Sequence, residues 1–145
     1  MIFEETFREK DGKPFMYKGD QVFLADELQI SKKFSGYIQL ISTDSEWKQA
    51  VCIAVNGEIE IDSVKIKKHV RIWQEHFVEA LHFSGTSKDG KLYIWNVWNN
   101  GRTVESWRMG AAMKKETNGN EIIYYCNDGH PDDDFTDLTF KLVLD

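Results

Sequence analysis

Residues 89–107 read DGKLYIWNVWNNGRTVESW, a run of β-branched and aromatic side chains held between the dipeptides Asp89-Gly90 and Asn100-Gly101. Asn-Gly and Asp-Gly suit the positive φ angles of tight hairpins, and Val, Ile, Tyr and Trp fit a pleated, half-buried surface. The segment therefore reads as a strand, KLYIWNVW, entered through one turn and joined through another to RTVESW.

The same grammar recurs on both sides. Asn56-Gly57 separates AVCIAV from EIEI, and Asn118-Gly119 precedes NEIIYYC. Upstream, SGYIQLIS and QVFLA read as further strands, and IFEETF as another at the edge. VRIWQEHFVEALHF, residues 70–83, fits two readings. Ile72, Trp73, Phe77, Ala80 and Leu81 could share one face of a short helix, or the segment could be a long bent strand. The expectation is an all-β, antiparallel β-sandwich or jelly-roll-like domain of about eight to ten strands, with at most one short helix near residues 70–80.

The 145 residues, 41% hydrophobic, suffice for one core, so a single domain over residues 1–145 is expected. No apolar run approaches the roughly 18 residues of a spanning helix, and MIFEETFREK lacks the basic start and apolar stretch of a signal peptide. A soluble, cytoplasmic protein is expected, with release from the cell only by a non-classical route. Net charge of −6 argues against nucleic acid held by general attraction, and KIKKH, Lys65 to His69, reads as a solvated strand edge. Cys52 and Cys126 lack CxxC spacing and read as reduced, buried thiols; a disulfide between them would require export.

The chain closes on CNDGHPDDDFTDLTFKLVLD, with five aspartates between Asp128 and Asp137. Asp132, Asp134, Thr136 and Asp137 offer oxygens at short spacing, and hard cations such as calcium take several oxygens at once. Gly129 and Pro131 permit and fix a bend that brings Asn127 or Asp128 toward the same centre, while alternation turns Asp133 away. Without a cation the cluster is an acidic turn that stays wet, and magnesium or no metal remain alternatives to calcium. An EF-hand is excluded, because Asp137 stands at the sixth position of a loop begun at Asp132, where glycine belongs, and Val143 stands at the twelfth. Leu138, Phe140, Leu142 and Leu144 alternate with polar or smaller partners, so a core-facing strand follows the loop.

NDGHPDDDFTDLTFKLVLD resembles the calcium loop and final strand of the small bacterial lectins that bind fucose and mannose through calcium. The shared feature is an Asp-x-Asp-aromatic-x-Asp core before an apolar strand, covering only this end of the chain. The resemblance implies calcium ligation by Asp132, Asp134 and Asp137, with Phe135 packed inward. Asn127 replaces an acidic ligand of those lectins, Thr136 replaces an asparagine, and His130-Pro131 lengthens the loop by one residue. The lower charge implies one ion where those lectins hold two.

In that class the calcium accepts vicinal sugar hydroxyls, so the implied ligand is a carbohydrate or glycan bound at Asp132, Asp134 and Asp137. Trp98, beside the Asn100-Gly101 turn, is the aromatic residue expected to meet it; Trp95 and Trp107 on the same hairpin read as packing residues. A homo-oligomer would supply avidity. His130 should be biased toward its charged form by the surrounding carboxylates. With no nucleophile elbow, phosphate-cradling glycine loop or Ser-His-Asp pattern, the protein reads as a non-enzyme. The competing expectation is a structural or protein-interaction β-sandwich whose acidic loop is solvated or rigidified by calcium alone.

Overall fold

In the computed structural model, which describes residues 1–145, the β-branched and aromatic runs become antiparallel strands. In chain order the elements are α1 (Glu4–Glu9), β1 (Phe15–Tyr17), β2 (Asp20–Val22), β3 (Asp26–Gln29), β4 (Lys33–Thr43), β5 (Lys48–Ile61) and β6 (Val64–Trp73). A single 3-10 turn (Gln74–His76) leads to β7 (Leu81–Asn99), β8 (Val104–Glu105), β9 (Ala112–Asn118), β10 (Glu121–Asn127) and β11 (Leu138–Leu144). Strands β1 and β2 form a separate ribbon. The other nine make one sheet in the order β6-β5-β7-β4-β11-β10-β9, with β3 and β8 also paired to β7.

Two long strands decide the shape. β7 pairs with β5 along most of its length, and on its other edge it pairs first with β4 and then with β3. The register shifts between Val55 and Gly57, where residues 88–91 of β7 stand opposite Asn56 alone; the irregularity falls at the level where this neighbour changes, as bulges do at the corners of sandwiches. At the far edge, β9 returns to the stretch before β3. Phe23 and Met113 exchange both backbone hydrogen bonds, at 3.0 and 2.8 Å. The sheet thus curls into a sandwich-like arrangement, and both layers contribute to a core that includes Ile38, Ile53, Ile59, Leu92, Tyr124 and Phe140.

Asn100-Gly101 does reverse the chain between β7 and β8, and Asn118-Gly119 does so between β9 and β10. Asn56-Gly57 and Asp89-Gly90 do not: both lie inside continuous strands. Turn chemistry and bulge chemistry are locally alike, since each needs an irregular residue that leaves the ladder. Gly57 is required there for another reason, because a Cβ would collide with the carbonyl of Thr86. Asp89 caps its own bulge, its Oδ1 accepting hydrogen bonds from Ser87 Oγ and Lys91 N.

IFEETF is the other departure, since Glu4–Glu9 is helical. A two-residue period would have put Glu5 on the buried face with Phe3 and Phe7. The helical period keeps the two rings together without it, and Arg8 pairs with Glu4 one turn back at 3.0 Å. The ambiguous segment 70–83 divides between both readings: strand to Trp73, one 3-10 turn, then strand again from Leu81. At the end of the chain the expected alternation holds, with Leu138, Phe140 and Leu142 in the core and Leu144 packed against it. Both cysteines are buried and unpaired, KIKKH lies on the exposed edge strand β6, and no helix is long and apolar enough to cross a membrane.

Candidate functional site

The acidic loop connects neighbours in the sheet, so its two ends are fixed by the pairing of Cys126 with Leu138. Asn127, fully buried at the end of β10, ties the two arms together. Its Oδ1 accepts a hydrogen bond from Phe135 N at 2.7 Å, and its Nδ2 donates to the Asp132 carbonyl at 3.1 Å. Its own carbonyl accepts from Asn96 Nδ2 of β7 at 2.9 Å. Phe135 is held at φ 57°, a left-handed conformation that costs a non-glycine residue about 1–2 kcal/mol. Its buried ring offsets that cost by joining Phe3, Phe7, Val22 and Ala112 in a second core.

This scaffold gathers three carboxylates. Ligand oxygens of Asp132, Asp134 and Asp137 lie within 4.8 Å of one another, with Asp137 buried and the other two open to solvent. None of the three takes part in an ion pair. Burial, reinforced by the neighbouring Asp128 and Asp132, pushes the Asp137 carboxyl up to about 7, although the Asp128 N–H donates to its Oδ2 at 2.9 Å. Asp132 is also raised, by partial burial and by Asp134. Like charges held this close favour a proton or a cation among them.

Asp133 points elsewhere: its carboxylate accepts hydrogen bonds from Tyr17 Oη at 2.6 Å and Lys18 Nζ at 3.0 Å, and these partners pull its carboxyl down to about 2. Asp128 and Asn127 lie beside the triad with their side chains already engaged. Asp128 Oδ2 accepts from Ser45 Oγ at 2.6 Å and from Gln49 Nε2 at 3.0 Å, and its Oδ1 accepts from His130 N at 3.0 Å. Although burial alone would raise the Asp128 carboxyl, these bonds hold it below the ordinary carboxylate value. Thr136 is exposed, and its N–H donates to Asp134 Oδ1 at 3.2 Å.

His130 stacks on Trp47 with ring centroids 3.7 Å apart, its Nδ1 lying 2.8 Å from Asp128 and its Nε2 3.2 Å from Glu46. Burial works against its charged form, but Asp128 and Glu46 outweigh it and raise its pKa. A cavity of about 420 Å³ opens beside the loop, lined only by polar residues that include Asp44, Glu46, His130, Asp132 and Asp137.

The expected role of Trp98 is overturned. Its indole is fully buried, and the loop lies on it so closely that a Cβ at Gly129 would stand 3.0 Å from its ring. It is part of the floor of the loop and offers no face to a ligand. Sequence reasoning missed Ser45, Trp47, Gln49 and Asn96. Gln49 and Asn96 had a readable signal, being polar residues at inward positions of strands whose inward neighbours are apolar. The chain matches no protein-family model, no curated protein and no solved structure.

Proposed function

We propose that this protein is a calcium-dependent carbohydrate-binding module without catalytic activity, its β10–β11 loop holding one calcium ion through Asp132, Asp134 and Asp137. The observation that carries the reading is the convergence of three carboxylates outside any ion pair, two of which, Asp132 and Asp137, line a polar cavity. Calcium takes six to eight oxygens, so three carboxylates leave several positions to water or to vicinal hydroxyls of a sugar. Asp44, Glu46 and His130 line the same cavity and are suited to accept or donate hydrogen bonds to those hydroxyls. Trp47, half-buried and stacked on the cavity-lining His130, is the aromatic residue to which we assign the role expected of Trp98. A shallow site of this kind binds weakly alone, and self-association of the chain would supply avidity.

The second reading, calcium or solvent as a purely structural filling of the loop, is favoured by the burial of Trp98 and by the hydrogen bonds through which Asn127 and Asp128 already close the loop. A glycan array run with calcium and with chelator separates the two. The lectin reading expects calcium-sensitive binding to a restricted set of sugars. Absence of any calcium-sensitive glycan signal, with calcium binding intact, leaves the structural reading.

A further inference from the structure

The outer face of the sheet carries a second aromatic array. On β5, Val51, Ile53 and Val55 enter the core, so Ala50, Cys52 and Ala54 between them face outward. Pairing sets Trp73 and Arg71 beside Ala50 and Cys52 on one side, and Val97 and Trp95 beside them on the other. Such small residues let large neighbours lie across them: Ala50, Cys52 and Val97 are covered, and Trp73 and Trp95 are half-exposed on top. Trp107, just beyond β8, packs its ring 5.3 Å from that of Trp95 and remains 43% exposed. Gln49 and Trp98, which support the acidic loop, point to the opposite face of the same strands.

Unpaired positive charge flanks these rings. The Arg71 guanidinium lies 5.9 Å from the Trp73 ring centroid, and Arg108 lines with Trp107, Leu24 and the α1 residues Glu4, Phe7 and Arg8 a cavity of about 260 Å³ at the Trp107 end of the array. Neither arginine forms an ion pair, whereas the neighbouring Glu27, Glu75 and Glu4 are matched by Lys91, Lys48 and Arg8. Three indoles and two free guanidiniums on a protein of net charge −6 are a local exception to its surface. Indole faces suit the apolar faces of sugar rings, and a guanidinium fork suits a carboxylate.

We propose that this platform binds a linear acidic glycan, one bearing uronate carboxylates, without calcium. The sugar faces rest on Trp107 and Trp73, and the carboxylates meet Arg71 and Arg108. β5 and β7 are paired on both edges here, so an added peptide strand could pair only along the free outer edge of β6, separated by β5 from Trp95 and Trp107. Two free guanidiniums are also few for a nucleic-acid backbone, which needs a cation for each phosphate it neutralises. The proposal shares a ligand class with the calcium reading but neither its site nor its metal.

The test is titration of chelator-treated protein with short oligogalacturonates, followed by tryptophan fluorescence and calorimetry. Saturable binding is expected, weakened about tenfold or more in Trp107→Ala and in Arg71→Gln, and similarly weakened for the uncharged oligosaccharide of the same length. Asp134→Asn should bind as the parent does, so loss of the calcium site leaves this result untouched. Both altered platform side chains are exposed, and an unchanged unfolding midpoint of Arg71→Gln keeps the test valid if Trp107→Ala proves unstable. No binding by the parent, unchanged binding in the folded variants, or tighter binding of a single-stranded oligonucleotide would each overturn the proposal.

Discussion

Asp137 concentrates the electrostatics of the loop. In the calcium-free protein its folded pKa of about 7 exceeds its ordinary value of 3.8, so the folded state holds the proton more tightly than the unfolded state. Its contribution to stability is full below about pH 4 and is lost as pH rises through about 7. His130, also raised, acts in the same direction, contributing below its ordinary 6.5 and losing that contribution above its folded value. Asp128 is lowered and acts oppositely, contributing above 3.8 and losing that contribution as pH falls through its depressed value. Calcium-free protein should therefore resist denaturant best in mildly acidic buffer and less well near pH 8. Calcium should compensate the ionised triad, so its stabilising effect should be larger at pH 8 than at pH 5. Urea unfolding at both values, with calcium and with chelator, measures this; equal calcium effects would contradict it.

The adjacent aspartates separate cleanly by direction. Asp134→Asn removes a charge from the triad and should abolish the calcium-induced rise in unfolding midpoint, whereas Asp133→Asn should keep that rise while loosening the contacts to Tyr17 and Lys18. A scanning calorimeter reads both. Retention of the full calcium response in Asp134→Asn would contradict the ligand assignment.

At the level of elements, the loop depends on a segment remote in sequence. Phe3 is fully buried, with ring contacts to Phe7, Phe15, Tyr17 and Phe135. Phe3→Ala should cost about 3 kcal/mol, the lower end for truncating a buried aromatic. By freeing the Phe135 ring it should also weaken calcium binding, measurable by titration of the folded variant; full affinity would show that the N-terminal segment does not support the loop. The final strand was legible because alternation of apolar and polar residues has one physical outcome there, and the gathering of Asp132, Asp134 and Asp137 because their short spacing keeps them on one loop; Asn100-Gly101 and Asn118-Gly119 were read as turns and are turns. Asn56-Gly57 and Asp89-Gly90 were not legible as bulges, since a bulge and a hairpin turn use the same residues and only the length of the paired strand distinguishes them. Ser45, Trp47 and Gln49 escaped for a related reason: they reach Asp128 and His130 only when the curled sheet brings sequence-distant segments together. Trp98 misled because proximity to a turn suggests exposure, yet the acidic loop folds back over it.

For the whole molecule, the curled sheet presents two opposed surfaces, an acidic mouth above Gln49 and Trp98 and a tryptophan platform on the reverse of the same strands. A rigid sheet serves both, since β10 and β11 fix the span of the acidic loop and β5 and β7 fix the spacing of the indoles. Calcium bound to the folded state alone must stabilise the entire chain, by about 2.7 kcal/mol at a hundredfold excess over its dissociation constant. The most direct measurement is equilibrium titration of chelator-treated protein with calcium, read by calorimetry beside Asp134→Asn. One ion per chain, lost in the variant, is the predicted result; no binding by the parent at millimolar calcium, or equal binding by the two proteins, would contradict it.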